Sequence, residues 1–169
     1  MTVSETPRLL LRHINLNDAP FILTLLNDPS FLIKIGDKGV RNLEDACKYI
    51  LDGPVKSYKT NGYGPNLVEL KETGCPIGIC GIYKREILPH PDIGFAFLPA
   101  YWAQGYAYES ADAVLNNAKT LHKLDRILGI ASPSNSKSIR LLEKLGLVLE
   151  GTVRLTPESS ECKLFARGL

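Results

Sequence analysis

Several chemistries are missing from this 169-residue chain, and their absence narrows what it can do. It has four cysteines, Cys47, Cys75, Cys80 and Cys162, with no Cys-x-x-Cys pair, so neither a zinc knuckle nor a thioredoxin-like site is expected. They read as reduced, small apolar residues. The three histidines, His13, His90 and His122, show no i, i+4 spacing, and a metal centre is not expected. There is no Gly-x-x-x-x-Gly-Lys-Ser/Thr phosphate loop and no Gly-x-Ser-x-Gly elbow. Lys and Arg together number 20 against 18 Asp and Glu, a formal net charge of +2, and no dense basic run offers a stripe for nucleic acid. No apolar run is long enough to span a bilayer, and Met1 to Arg8 lacks a basic-then-apolar leader pattern, so a cytoplasmic protein without a membrane partner is expected. Nothing in the composition fixes an oligomeric state.

What is present is ordinary globular composition, 44% hydrophobic and 22% charged, at a length that suits one domain over residues 1–169. The most informative stretch runs from Asp92 to Ala111. Ile93, Phe95 and Phe97 alternate with Gly94, Ala96 and Leu98, which predicts a strand, and Pro99 ends it for want of an amide hydrogen. Ala107, Ala111, Val114, Leu115 and Ala118 then follow helical spacing, so a helix is expected to start between Gly105 and Tyr108. Helix-start amides have no partner within the helix and carry the positive end of the dipole. A pyrophosphate can be bound there by backbone alone. A tight connection with no ligand is the bland alternative.

Elsewhere the pattern predicts a strand over 7–14 and a helix capped by Asn17 and ended by Asn27-Asp28-Pro29. A loop over 30–41 follows, then a helix opened by Asn42. A hairpin is expected from 66–71 and 76–84, a strand over 126–131, a helix after Asn135 ended by Gly146, and strands over 147–155 and 161–167. The order β-α-α-β-β-β-α-β-α-β-β implies a mixed α/β sheet with helices on both faces.

The run Tyr101-Trp102-Ala103-Gln104-Gly105-Tyr106-Ala107-Tyr108, followed by Asn135-x-x-Ser138 and Glu143-Lys144-Leu145-Gly146, resembles the GNAT acetyltransferases. Within them it is most similar to the branch containing the ribosomal-protein N-terminal acetyltransferases RimJ and RimL. The likeness is collinear from Thr6-Pro7-Arg8 to Leu164-Phe165-Ala166-Arg167, with Trp102 where the family more often has Gln or Arg. The resemblance implies a mostly antiparallel sheet splayed between the strands at 92–98 and 126–131. It also implies acetyl-CoA as co-substrate, bound by Ala103, Gln104, Gly105, Tyr106, Ala107 and Tyr108. Pantetheine would meet the backbone near Phe97 and Leu98 and the side chain of Asn135, which could equally cap its own helix. Asp92 matches an acidic position that can serve as general base, although a solvated strand-end carboxylate is the alternative. The tyrosine acid of many relatives is replaced by Leu142, and Ser138 matches the donor proposed in this branch. Glu109 suits a helix start without catalysis, Glu150 and Glu158 read as surface groups, and His90 sits in a loop near the substrate side. The acceptor is then a primary amine. A protein N-terminal α-amine leads, with a small-molecule amine or a non-catalytic acyl-CoA-binding module as alternatives.

Overall fold

The computed structural model describes residues 1–169. Eight strands form one sheet in the order β1-β2-β3-β4-β5-β6-β8-β7, with β1 Thr2–Glu5, β2 Leu9–His13, β3 Pro65–Leu70, β4 Pro76–Tyr83, β5 Asp92–Phe97, β6 Arg126–Ala131, β7 Val148–Val153 and β8 Cys162–Gly168. Every neighbouring pair is antiparallel except β5 with β6. That parallel step requires a crossover, and helix α5 supplies it. Strand β1 was not expected from sequence. It is a partly exposed edge strand with no apolar face to betray it.

The six helices are α1 Ala19–Asn27, α2 Pro29–Lys34, α3 Leu43–Ile50, α4 Lys56–Asn61, α5 Tyr106–Thr120 and α6 Ser136–Lys144. Asn15, not Asn17, caps the first helical segment: its side chain accepts the Asn17 N–H at 2.9 Å, and one short turn over Leu16–Asp18 leads into α1. Residues 29–34 form α2, so the loop expected over 30–41 is helical as far as Lys34. Asp28 both ends α1 and caps α2 by accepting the Ser30 N–H at 2.9 Å, and a lone Asp-Pro conceals that double use. After α3 the chain continues through a wider turn over Leu51–Val55, where Pro54 has no N–H to give a regular helix, into α4.

Two apolar layers flank the sheet. Alternation along each strand sends Leu67 toward α1 and α3, among Ile22, Leu25, Ala46 and Ile50, and its neighbour Val68 toward α5, among Leu9, Leu11, Val114 and Phe165. Cys80 is buried in the second layer, and burial pushes its thiol up to about 12, so it is an inert apolar group. No helix is long and apolar enough to cross a membrane.

The feature that positions the site is the parting of β5 from β6. The two strands pair only at Asp92 with Leu128 and Ile93 with Gly129. Beyond that, β5 keeps its partner β4 as far as Phe97, and β6 keeps β8 as far as Ala131. A wedge therefore opens between Phe95 and Ile130.

Candidate active site

One side of the wedge is a strand edge. Leu98 N–H donates to Ile77 O at 3.0 Å, which fixes the parity of the β4–β5 ladder. Ala96 and Gly94 consequently turn their peptide groups to β4, and Phe95 and Phe97 turn theirs into the gap. Trp102 Nε1 donates to Phe97 O at 2.8 Å, so the groups left for a ligand are both those of Phe95 and the N–H of Phe97. This corrects the expectation for Leu98, whose N–H is used and whose side chain packs into the opposite layer.

The wide end of the wedge is closed by the turn into α5. Ala103 at φ 58° and Gly105 at φ 84° both adopt left-handed conformations, and for Ala103 that costs about 1–2 kcal/mol. Backbone strain of this kind collects where a structure needs a particular peptide orientation. Trp102 N–H donates to Pro99 O and Glu109 N–H to Gly105 O, but the intervening N–H groups, Ala103 to Tyr108, have no protein acceptor. All of these residues but Gln104 line a cleft of about 410 Å³ together with Phe95, Phe97, Asn135, Ser138 and four cations, Lys34, Lys137, Arg140 and Lys144. Free amides, a helix start and surrounding positive charge fit the pyrophosphate and 3′-phosphate of coenzyme A.

The turn is braced from outside. Glu109 Oε1 accepts from the Thr6 hydroxyl at 2.6 Å and from Arg8 N–H at 2.9 Å, and Glu109 Oε2 accepts from Arg8 Nε at 2.7 Å. Arg8 also donates to Gln104 O at 2.9 Å and lies over the Tyr106 ring. Burial pushes the Glu109 carboxyl up, yet the bonds from Thr6 and Arg8 outweigh it and hold the group below its ordinary value. Gln104 itself is outside the cleft lining: its amide group donates to Ala100 O, and its carbonyl is held by Arg8. Lys34 Nζ at 4.4 Å and Lys137 Nζ at 4.9 Å both lie over the Trp102 ring, which brings α2 and α6 to the same side chain.

A second cavity of about 390 Å³ lies toward the start of β5. The two cavities share Phe31, Lys34, Ile35, Phe95, Ala96, Asn135 and Ser138, so these residues stand where a cofactor on one side and an acceptor on the other would meet. Asn135 Oδ1 accepts the Ser138 N–H at 3.3 Å, which makes Asn135 the cap of α6, while Ser138 lines both cavities. Leu142 is buried beneath and packs where a Cβ on Gly129 would come within 2.7 Å, so this helix position supplies no donor.

Asp92 lines the second cavity. It is not a solvated carboxylate: 2% of it is exposed, and Arg85 Nε donates to its Oδ1 at 3.0 Å. Burial pushes its pKa above the ordinary carboxylate value, with Arg85 pulling the other way. The Tyr83 ring lies beside it, over Gly94, where any Cβ would sit 2.6 Å from the ring. Glu150 is paired with Arg126, and His90 and Glu158 line neither cavity. Arg85, Tyr83, Lys34 and the peptide groups of Phe95 were not foreseen as site elements. Arg85 carries no local signal, because its link to Asp92 exists only once the loop between β4 and β5 has folded back.

Comparison with known proteins agrees with this geometry. Residues 8–148 match the acetyltransferase (GNAT) domain. The N-acetyltransferase YnaD of Bacillus subtilis is 31% identical over 150 residues, 86% of this chain and 82% of the relative. Among solved structures, an acetyltransferase of Agrobacterium tumefaciens superposes with a TM-score of 0.82 at 26% identity, over 99% of this chain and 94% of that one. RimL, a ribosomal-protein α-N-acetyltransferase solved with coenzyme A, superposes with a TM-score of 0.83 at 15% identity, over 100% of this chain and 98% of that one. The chain belongs to the GNAT acetyltransferase family. It is an acetyltransferase, and acetyl-CoA is the family's co-substrate.

Proposed function

We propose that the chain transfers acetyl groups from acetyl-CoA to the α-amine of a peptide or protein N-terminus in the cytoplasm, as one catalytic domain. The observation that carries this reading is the meeting of two cavities at Ser138 and Phe95, one rich in free amides and cations and the other holding a single shielded carboxylate. Acetyl-CoA supplies the thioester and its thiolate leaving group. The amides of Ala103 to Tyr108 bind its phosphates, and the peptide groups of Phe95 and Phe97 orient the pantetheine arm as a neighbouring strand would.

The amine nitrogen attacks the thioester carbonyl carbon, the C–S bond breaks, and the proton lost by nitrogen passes to Asp92, directly or through a water. A raised carboxyl pKa makes Asp92 a better base than an exposed aspartate. The Ser138 hydroxyl donates a hydrogen bond to the sulfur as negative charge develops there. An α-amine has an ordinary pKa of about 7.7–8.0 against about 10.4 for lysine, so one modest base suffices for the former.

Incubating the protein and acetyl-CoA with a mixture of free-amine peptides, Nα-blocked lysine peptides and small amines, then reading products by mass spectrometry, tests this. Acetylation at peptide α-amines is expected. Transfer confined to lysine side chains or small amines would overturn it.

A further inference from the structure

The second cavity has an imbalance of charge that the acetyl-transfer chemistry does not use. Three cations line it, Lys34, Lys38 and Arg85, against one acid, Asp92. Arg85 spends its Nε on Asp92 and has its two terminal nitrogens left over, while Lys34 and Lys38 form no ion pair. Lys34 is committed to the Trp102 ring. Lys38 lines this cavity and not the cofactor cleft. Lys38 is exposed at the cavity rim, and partial loss of solvation first, with the like charge of Arg85 second, holds its ammonium below the ordinary value.

Such a space repels an acceptor that is only cationic, and a polyamine or a polycationic antibiotic would enter it against the field. It attracts an acceptor that brings its own negative charge. Positive surroundings also lower the pKa of an incoming amine, which lightens the work asked of Asp92.

We propose that the acceptor is an amine bearing a carboxylate a few bonds away, and that Lys38 and the free end of the Arg85 guanidinium hold that carboxylate. This rests on the reading that the acceptor occupies the second cavity. The carboxylate has two sources with the same chemistry, an acidic side chain at the second position of a peptide or the α-carboxylate of a free amino acid. Arg85 grips Asp92 by one nitrogen and can offer its remaining pair to a second carboxylate, the fork geometry a guanidinium favours.

The test compares Ala-Glu-Ala, Ala-Gln-Ala and Ala-Lys-Ala peptide amides, together with free alanine and alaninamide, as acceptors. The native protein and Lys38→Ala are both used, and binding of the same probes to the coenzyme A-loaded protein is measured by calorimetry. One charge-assisted hydrogen bond corresponds to about tenfold or more in affinity. The glutamyl peptide is expected to show a KM at least tenfold below its glutamine counterpart, with the lysyl peptide weakest. Lys38→Ala should erase most of that difference while coenzyme A binds as before. Preference for alanine over alaninamide with the same Lys38 dependence would assign the free amino acid as source. Equal KM values across the series, or preference for the lysyl peptide, would overturn the proposal. If no probe is acetylated, the proposed function falls, but charge-dependent binding lost in Lys38→Ala would still uphold the anion site, and charge-independent binding would remove it.

Discussion

Trp102 Nε1 donates to Phe97 O at 2.8 Å, and that bond ties the turn before α5 to the free edge of β5. The strand edge and the free amides of the turn are thereby held in one register. Trp102→Phe keeps an aromatic ring for Lys34 and Lys137 but removes the bond. A net contribution of about 1 kcal/mol is expected, equivalent to about 2–4 °C in Tm for a chain of this size, with coenzyme A affinity down several-fold by calorimetry. An unchanged affinity would mean the turn holds its place without the tryptophan.

Gly105 sits at φ 84°, and a Cβ there would approach Arg8 at 3.1 Å. Gly105→Asn, which tolerates the left-handed region, should fold with a small loss of Tm. Gly105→Glu adds negative charge beside the free amides and should weaken coenzyme A binding tenfold or more. Equal affinity of the two variants would remove the pyrophosphate from this turn.

Ser138 and Asn135 separate cleanly because their roles in α6 differ. Asn135 caps the helix, so Asn135→Ala should cost about 0.5–2 kcal/mol of stability. Ser138→Ala leaves that cap intact. Its Tm should be unchanged while kcat and kcat/KM for acetyl-CoA fall together, as for an interaction made in the transition state. A Ser138→Ala enzyme with native kcat would take the hydroxyl out of the chemistry.

The proposed base function of Asp92 is lost on protonation, and its raised pKa would place the acid limb of kcat/KM above the ordinary carboxylate range. Asp92→Asn should abolish that limb. The rate loss, within the roughly hundred- to ten-thousand-fold range of base catalysis, should be largest near pH 7 and shrink toward pH 9, where the amine deprotonates unaided. A loss independent of pH would make Asp92 an anchor for Arg85 only.

Glu109 behaves in the opposite sense. Its folded-state pKa is depressed, so its clasp on Thr6 and Arg8 stabilises the protein above the unfolded carboxylate value and is lost as pH falls through the folded one. The Tm gap between the native protein and Glu109→Gln should be constant at neutral pH and close in acid. A gap that persists at the acid end would trace the defect to packing.

The period-2 alternation from Asp92 to Leu98 and the spacing from Ala107 to Ala118 made β5 and α5 legible in sequence, because each element buries one face and that constraint leaves a local mark. The turn between them was legible for the same reason: Gly105 is needed where the backbone is left-handed. Helix α2 and the start of α1 were not, since Asn15, Asn17 and Asp28 are all competent caps and tertiary packing chooses among them. The acceptor side was least legible of all. Arg85 and Lys38 are ordinary surface cations in sequence, and only the folded loops bring them to one cavity.

The short seam between β5 and β6 has a thermodynamic consequence. Two residue pairs join five strands on one side to three on the other, so the ladder itself is weakest at this seam, and the apolar cluster that spans it carries the rest of the cohesion. Whatever lies in the wedge and touches both walls adds to cohesion by mass action, by about 2.7 kcal/mol at a ligand concentration a hundredfold above Kd. The resistance of this protein to heat or proteolysis should therefore rise with added coenzyme A.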